Sequence, residues 1–350
     1  MMLQKIEHES SKWELNESVD IIRFINCLAI KMTCIALFGN DFMKESGKCP
    51  YANEENNIDN ISLPEAISNT SCDLEQNYEY PISKLLPGIN EKNLGHPYKR
   101  DKKNIKEIQK FLSNYLKSKG TLKDGSHHKF TQITEDQAVG DYLNVIDATN
   151  STLDIGIASC LFRLKQNPHV QERLVEELKT CGITSAINDK SLTTAMLSEC
   201  DYLTYVIKEV LRMDPPSVYS SPYMTYEEVE ICGIKIPSKT KMAINFAGCH
   251  YNSDQWHEPT KFIPERFDPT SEYFLKPGTD DVRDPLAFIP FSTGKRSCPG
   301  MPFALTEIKV YLSFLISKFD YSIKPEMFSN PNVRFEQDSG FELDIKITKK

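Results

Sequence analysis

The sequence predicts a mainly α-helical protein with a small β region. Apolar residues recur at helical spacing over residues 17–39, 134–167 and 301–318, which predicts a helix in each range. Over residues 227–248 the period changes to two around a glycine and a proline, as in a β-hairpin. Residues 251–300 contain many prolines and show no regular period, so we expect an irregular segment there.

The longest predicted helix spans residues 134–167. Thr134 can accept a hydrogen bond from the first turn as an N-cap, and Pro168 ends the helix, so both boundaries are marked. A further helix is predicted over residues 202–213, because two consecutive prolines follow it closely. Residues 44–96 are rich in Asn, Ser, Pro and acidic residues, and we interpret them as variable surface loops and short helices.

The overall charge and the cysteine spacing argue against several classes of protein. The formal net charge is -8, and no long basic run occurs, which argues against nucleic acid as a partner. The 10 cysteines include no C-x-x-C pair, so neither a zinc module nor a disulfide scaffold is indicated. A reduced, partly buried thiol is therefore the default interpretation of each cysteine.

The sequence has no evident membrane-spanning segment. The N-terminus mixes acidic and basic residues and lacks the apolar core of a signal peptide. Residues 21–38 are apolar, but Arg23, Asn26 and Lys31 interrupt them, whereas a spanning helix needs about 20 nearly uncharged residues. We therefore interpret residues 21–38 as a buried helix of a soluble domain.

The sharpest functional signal is the segment Phe291-Ser-Thr-Gly294-Lys-Arg296-Ser-Cys298-Pro-Gly300. Its two glycines, Gly294 and Gly300, permit a tight loop, because glycine adopts positive φ at little cost. The loop presents Cys298 immediately before the last long predicted helix. Unpaired N–H groups at a helix N-terminus stabilise a thiolate, so Cys298 is the cysteine for which we expect a chemical role.

At this segment the sequence resembles the cytochrome P450 family of haem-thiolate monooxygenases. The resemblance implies a P450-like fold lacking its N-terminal part, with haem b between the long helix and the cysteine loop. Cys298 would be the metal ligand, bound to iron as an axial thiolate, and Arg296 could reach a haem propionate. Thiolate ligation directs electron density onto iron and favours cleavage of the O–O bond. Phe291, Gly294 and Gly300 complete the implied cofactor loop.

The resemblance extends to a structural network. Glu209 and Arg212 lie about one turn apart on a predicted helix and so share a face. Arg266 follows in a Pro-Glu-Arg-Phe segment at the distance usual in the family. The family's Glu-Arg-Arg network therefore maps onto these three residues, and it would pin the irregular segment that carries the cysteine loop. Three more residues fall where family members have similar ones, with a purely structural core position as the equal alternative for each: His250, Trp256 and Phe262.

The long predicted helix departs from the family pattern at its oxygen-activation segment. There the small Ala148, which the resemblance implies as a cofactor-binding residue, and the hydroxyl of Thr152 are retained. Thr149 replaces a glycine, and Ser151 replaces an acidic residue that helps to relay protons in the family. Thr152 is thus the expected catalytic residue, with a hydroxyl bonded to its own helix backbone as the alternative. Tyr223 is a second departure, since the family usually has an arginine there for a haem propionate.

The resemblance implies insertion of one oxygen atom of O₂ into a small, lipophilic organic substrate. Two electrons would come from NADPH through a separate reductase, because the chain has no dinucleotide-binding glycine motif. Lys295 and Lys309 are weak candidates for a surface that faces the reductase. The alternatives are isomerisation or dehydration of a peroxide, which needs no reductase, and a truncated haem-binding fragment without activity.

The resemblance also places the start of this chain near the fifth helix of the family pattern. We therefore expect a fragment or an incomplete gene model. Its full-length parent would lie on the cytosolic side of the endoplasmic reticulum membrane, as eukaryotic microsomal members do. No obligate oligomer is implied.

Overall fold

The chain forms two compact units, a larger unit of residues 1–21 and 155–350 and a smaller unit of residues 22–154. The computed structural model describes residues 1–14, 18–40, 42, 49–53, 55, 57–78, 96–119, 134–149, 152–324 and 343–349. The helices are α1 (Met2–Ser10), α2 (Ile21–Phe38), α3 (Leu63–Tyr78), α4 (His96–Ser118), α5 (Glu135–Asp147), α6 (Leu153–Gln166), α7 (Pro168–Thr180), α8 (Ile183–Asn188), α9 (Thr194–Ser198), α10 (Asp201–Met213), α11 (Phe246–His250) and α12 (Met301–Lys318). The strands are β1 (Ser18–Asp20), β2 (Cys49–Ala52), β3 (Ile58–Ile61), β4 (Tyr223–Met224), β5 (Val229–Ile231), β6 (Ile234–Ile236), β7 (Lys241–Met242), β8 (Phe319–Ile323) and β9 (Asp344–Lys349).

The described parts of residues 44–96 are more regular than the sequence predicted, whereas residues 44–48, 54, 56 and 79–95 lie outside the described residues. Strands β2 and β3 pair antiparallel, and α3 is 16 residues long, so the prediction of loops and short helices was wrong for these elements. The side chain of Asn104 on α4 explains how so short a strand is stabilised. Its Oδ1 accepts from the N–H of Ala52 at 2.8 Å, and its Nδ2 donates to the Ala52 carbonyl at 3.0 Å. A single buried amide thus satisfies both backbone groups of a β2 residue.

The helix predicted over residues 134–167 is interrupted. Thr134 caps α5 as expected, because its Oγ1 accepts from Gln137 N at 3.3 Å and Gln137 Oε1 accepts from Thr134 N at 2.8 Å. However, α5 ends at Asp147, α6 begins at Leu153, and the described residues between them adopt turns. The single-helix prediction was therefore wrong. Consecutive hydroxyl and amide side chains compete for backbone hydrogen bonds, which disfavours a continuous helix.

In the larger unit, β1, β9 and β8 form an antiparallel sheet in that order. Val19 in β1 lies opposite Ile345, so the helix predicted from residue 17 begins only at Ile21. Helix α12 covers the predicted range 301–318 and passes directly into β8. Helices α6 and α12 pack together at Gly156, where a Cβ would make ordinary van der Waals contact with the Ile308 side chain at 3.6 Å.

The β-hairpin predicted around Gly233 is present as β5 and β6, but the alternating pattern after it is mostly not a strand. Strand β7 pairs with β4 there, and Asn245 forms an isolated antiparallel bridge with Tyr219. Asn245 then caps α11 by accepting from Gly248 N at 2.9 Å, so the predicted strand ends where this helix begins. Residues 251–300 contain short 3₁₀ turns within irregular backbone, in keeping with their sequence.

Helix α2 is the one helix in the described part of the chain that is long and apolar enough to cross a membrane. One such helix is weak evidence for a span, because a core helix of a soluble protein passes the same test. More than half of α2 is buried. The polar Asn26 within it accepts from Ser68 Oγ at 2.7 Å and donates to Asp154 Oδ2 at 3.1 Å, so it is paired inside the smaller unit.

Candidate functional site

The segment from Phe291 to Gly300 forms a closed loop before α12. The N–H of Cys298 donates to the Phe291 carbonyl at 2.9 Å and closes the loop. Ser292 and Gly294 have φ values of 61° and 70°, so the chain reverses through two left-handed residues. Such a conformation costs a serine more than a glycine, because a Cβ crowds the following carbonyl. The loop thus fixes the position from which the thiol projects.

The thiol of Cys298 is accessible and lies next to the N-terminus of α12. Gly300 is the N-cap of this helix, and Met301 is its first residue. A Cβ at Gly300 would lie 3.7 Å from Cys298 Sγ, so the glycine leaves this side of the sulfur open. The first N–H groups of a helix have no partner within the helix and favour a nearby negative charge. The surroundings therefore suit a thiolate.

Several other cysteines that the structure describes are less suited to ligation. Burial raises the pKa of Cys34 to about 12, of Cys49 to about 11 and of Cys200 to about 12. These thiols stay protonated at neutral pH, whereas a metal ligand must be a thiolate. Among the described cysteines, Cys232 and Cys298 are the exposed ones, and Cys298 alone of these two precedes a long helix.

The donor set around Cys298 fits a haem. Within the described ranges, no group of three or more His, Cys, Asp or Glu side chains is arranged to hold a metal ion. A single thiolate suits an iron whose equatorial ligands come from a macrocycle. The guanidinium of Arg296 is exposed and makes no hydrogen bond or ion pair to another described residue. It is therefore available for a carboxylate such as a propionate.

Glu209, Arg212 and Arg266 form one buried network. Glu209 Oε2 accepts from Arg212 Nε at 2.8 Å, and its Oε1 accepts from Arg212 Nη2 at 2.8 Å. The same Oε1 accepts from Arg266 Nε at 3.1 Å and from Ile263 N at 2.9 Å. All three side chains are 0% exposed, so their charges are compensated by one another and by the surrounding backbone.

The two arginines also bind carbonyl groups of the irregular segment. Arg212 Nη1 donates to the carbonyls of His250 and Pro259 at 2.9 Å and 2.8 Å. Arg266 donates to the carbonyls of His257 and Glu258, the latter at 2.8 Å. The network therefore links α10 to a stretch of chain that forms short 3₁₀ turns but no long helix or named strand.

Sequence reasoning missed Arg283, which extends this network. Its Nη1 donates to the carbonyls of Tyr273 and Phe274 at 2.8 Å and 2.6 Å, and its Nη2 donates to the Arg266 carbonyl. Its guanidinium carbon lies 4.3 Å from the ring centroid of Trp256. Burial, followed by the charge of Arg266, lowers the pKa of Arg283 to about 10. An isolated arginine in an irregular stretch has no spacing that would have revealed it.

His250 connects the network to the chain that precedes the cysteine loop. Its carbonyl accepts from Arg212, and its Nε2 accepts from the N–H of Ile289 at 3.0 Å. Its ring lies 5.6 Å from that of Phe288 between centroids. Burial, followed by the charge of Arg212, lowers the pKa of His250 to about 4, so the imidazole is neutral and can accept this bond.

The candidates from the oxygen-activation segment lie in the smaller unit. Thr152 Oγ1 donates to the Ala148 carbonyl at 3.0 Å, and Thr149 Oγ1 donates to the Ile146 carbonyl at 2.7 Å. The hydroxyl of Thr152 is thus bonded to its own backbone, the alternative that the sequence left open. Ser151 lies outside the described residues. Tyr223, in the larger unit, is partly exposed in β4 and carries no charge for a propionate.

Comparisons with known proteins agree on one family. A family model described as Cytochrome P450 matches residues 1–341. A costunolide synthase from Cichorium intybus is 29% identical over 202 residues, which cover 58% of this chain and 38% of that protein. A 3-hydroxyindolin-2-one monooxygenase from Zea mays is 26% identical over 257 residues, covering 69% of this chain and 46% of that protein. The match thus spans less than half the length of each relative.

Solved structures show the same fold. A cyanobacterial CYP120A1 with bound retinoic acid matches all of this chain and 73% of its own, with a TM-score of 0.70 and 18% identity. The heme domain of a cytochrome P450DA mutant matches all of this chain and 72% of its own, with a TM-score of 0.76 and 16% identity. The mainly α-helical fold with small sheets is therefore confirmed. With the family model covering almost the whole sequence, the chain belongs to the cytochrome P450 family.

Proposed function

We propose that this chain binds haem b through the thiolate of Cys298 and takes part in a monooxygenase reaction on a small, lipophilic organic molecule. The observation that carries the proposal is the closed loop that presents an accessible Cys298 beside the N-terminus of α12. A thiolate-ligated haem activates O₂ for transfer of one oxygen atom to an organic substrate. The names of the relatives, which include a monooxygenase and a hydroxylase, support this reaction class.

The residues of the loop would bind and orient the cofactor. Cys298 would hold the iron beside the helix N-terminus, and the exposed guanidinium of Arg296 would pair with a propionate. Phe291 and the two glycines would set the shape of the loop around the sulfur. The Glu209 network and His250 act indirectly, because they fix the backbone from which the loop departs.

Thr152 is the proposed proton-handling residue. Its Oγ1 donates to the Ala148 carbonyl, and it would have to turn from this acceptor to hold a proton donor near the substrate. Thr152→Ala should lower the product formed per NADPH consumed, whereas Thr152→Ser, which keeps the hydroxyl, should largely preserve it. Equal coupling in the wild type and in Thr152→Ala would remove this residue from the mechanism.

The electrons would come from NADPH through a separate reductase, and the full-length protein would lie at the cytosolic face of the endoplasmic reticulum membrane. Both proposals rest on the resemblance to eukaryotic microsomal members of the family. Reconstitution with a microsomal reductase and fractionation of the source tissue test them. NADPH-driven turnover without any reductase, or recovery of the protein in a soluble fraction, would contradict the respective proposal.

The test of which residue ligates the iron compares the two exposed cysteines among the described residues, Cys298 and Cys232. The chain is expressed with haem, reduced and exposed to carbon monoxide, and the Soret band is recorded for the wild type, Cys298→Ser and Cys232→Ser. We expect the far-red-shifted band of thiolate ligation in the wild type and in Cys232→Ser, and its loss in Cys298→Ser. Persistence of the band in Cys298→Ser would show that another residue ligates the iron.

A peroxide isomerase or dehydratase is the second candidate, favoured by the altered residues Thr149 and Ser151 in the oxygen-activation segment. Such an enzyme takes its activated oxygen from the substrate and needs no delivered protons or electrons for O–O cleavage. Turnover of a fatty hydroperoxide without reductase, combined with no NADPH-dependent product, would favour it. Haem binding with neither activity would identify an inactive fragment.

A further inference from the structure

A cavity of about 240 Å³ opens between α9, α10 and α12 in the larger unit. Helix α10 lines it with Thr204, Ile207 and Lys208, which occupy positions i, i+3 and i+4 of one helix face. The lining residues of α9 and α12 follow the same spacing. Three helix faces therefore meet around a common space, which belongs neither to the cysteine loop nor to the Glu209 network.

Two lysines are half-buried at this cavity. The ammonium of Lys208 makes no hydrogen bond or ion pair within the described ranges, and it lies 5.6 Å from the ring centroid of Phe267. Lys309 Nζ donates to the Leu197 carbonyl at 3.1 Å. Burial lowers the pKa of both lysines, and the positive charge of Lys208 further lowers the pKa of Lys309. Both lysines line the same cavity, so two positive charges border one space.

The carboxylates near Lys309 do not fill the cavity. Asp201 and Glu177 favour the charged form of Lys309, but neither lines the space. Glu177 is engaged elsewhere, because its two oxygens accept from the N–H groups of Tyr202 and Leu203 at 2.7 Å each. An anion entering the cavity would therefore find two cations and no competing carboxylate among the lining residues.

The rest of the lining defines the shape of the ligand. Leu197, Ile207 and Leu305 supply apolar surface, and hydroxyl groups lie among them. The volume is below the roughly 300–1,000 Å³ of sites for drug-sized ligands, so a molecule with about one ring fits. An inorganic anion would leave the apolar walls uncovered. A carboxylate attached to a small apolar body matches both the charged and the apolar parts.

We propose that this cavity binds a small organic monocarboxylate, whose charged end lies between Lys208 and Lys309 and whose apolar part packs on Leu197, Ile207 and Leu305. The proposal does not depend on the proposed function, since it requires neither haem nor Cys298. It goes beyond the family assignment, because none of these residues belongs to the family motifs in the sequence.

Protection from acetylation tests the location directly. The chain is treated with an acetylating reagent with or without benzoate, and the modified lysines are mapped by peptide mass spectrometry. We expect benzoate to protect Lys208 and Lys309 but not Lys179, an exposed lysine on α7. Benzamide, which has nearly the same shape but no charge, should protect none of them. Equal protection of Lys208 and Lys309 by benzamide would overturn the proposal, because it would show that the charge is not recognised. Equal protection by a polyglutamate peptide would also overturn it, because it would show an open basic surface and no site for a small molecule.

Affinity measurements on variants test the role of each charge. Benzoate binding is measured by isothermal titration calorimetry for the wild type, Lys208→Gln, Lys309→Gln, Lys309→Arg and the control Lys179→Gln. Loss of one charged hydrogen bond should weaken binding by about tenfold or more, whereas Lys309→Arg and Lys179→Gln should bind within a few-fold of the wild type. Absence of saturable binding to the wild type, or unchanged binding by both glutamine variants, would refute the site.

Discussion

Removing the charge of Glu209 should destabilise the larger unit more than any other conservative change in the network. Glu209→Gln keeps the size and shape of the side chain. It replaces one carboxylate oxygen with an NH₂ group that faces the N–H donors of two guanidinium groups. Four hydrogen bonds converge on the native carboxylate, from Arg212 Nε and Nη2, Arg266 Nε and Ile263 N.

The expected loss of stability follows from the burial of the two arginines that bind Glu209. Both Arg212 and Arg266 are 0% exposed, so neither can recover its lost ion pair in water. Breaking a buried pair by removing one partner costs about 3–5 kcal/mol, a large share of the roughly 5–15 kcal/mol that stabilises a typical protein. For a unit of this size, such a loss corresponds to a decrease in Tm of roughly 6–20 °C.

The assay is thermal unfolding followed by far-UV circular dichroism, with Glu172→Gln as the control. Glu172 is exposed on α7, so its change should alter the free energy of unfolding by less than about 0.5 kcal/mol. Arg266→Met should also cost less in the Glu209→Gln background than alone, because it then removes an uncompensated charge. A decrease in Tm of under about 3 °C for Glu209→Gln would refute this account.

Three further substitutions have defined outcomes. Burial raises the pKa of Glu307 from 4.5 to about 8, so the folded protein binds more protons between these values and the free energy of unfolding falls as pH rises through them. Glu307→Gln should remove this dependence in urea unfolding near pH 5 and pH 8, and an unchanged slope would contradict the assignment. His250→Leu leaves the Ile289 N–H without its acceptor and should cost about 1–3 kcal/mol in the same assay, whereas a neutral effect would argue against the bond. Gly294→Ala should lose about 1–2 kcal/mol because φ is 70°, while Gly140→Ala, in an open position on α5, should not be destabilised.

Much of the fold could be predicted because local patterns and tertiary packing agree. Helix α12 is predictable because its apolar residues repeat at helical spacing and a Pro-Gly pair precedes it. The break between α5 and α6 was not predictable in the same way. Hydroxyl groups such as that of Thr152, which bonds the Ala148 carbonyl four residues earlier, also occur inside continuous helices, so they do not mark a break in the sequence.

The smaller unit shows a second limit of sequence reasoning. Strand β2 is short and begins with a cysteine and a proline, so its composition does not resemble a strand. It exists because Cys49 and Tyr51 are buried in the core and because Asn104, more than 50 residues away, bonds both backbone groups of Ala52. Long-range contacts of this kind leave no periodic signal.

At the candidate site, the sequence identified two arginine donors and one acceptor, Glu209, but not the other acceptors. The Glu-x-x-Arg and Pro-Glu-Arg-Phe segments located Arg212 and Arg266, yet most of the groups these arginines bind are backbone carbonyls, which are the same in every sequence. The irregular segment lacks the hydrogen bonds of helices and sheets, so its buried carbonyls need other donors.

Three arginines supply these donors, and two of them, Arg212 and Arg266, also bond the Glu209 carboxylate. One Glu209 carboxylate cannot neutralise all of the guanidinium charges. The backbone carbonyls that the arginines bind carry partial negative charges and offset part of the remainder. Arg283 is then needed for the carbonyls of Tyr273 and Phe274, which the other two do not contact. The network thus fixes an irregular segment of the chain. The bond from the Ile289 N–H to His250 extends this fixation to the residues just before the cysteine loop.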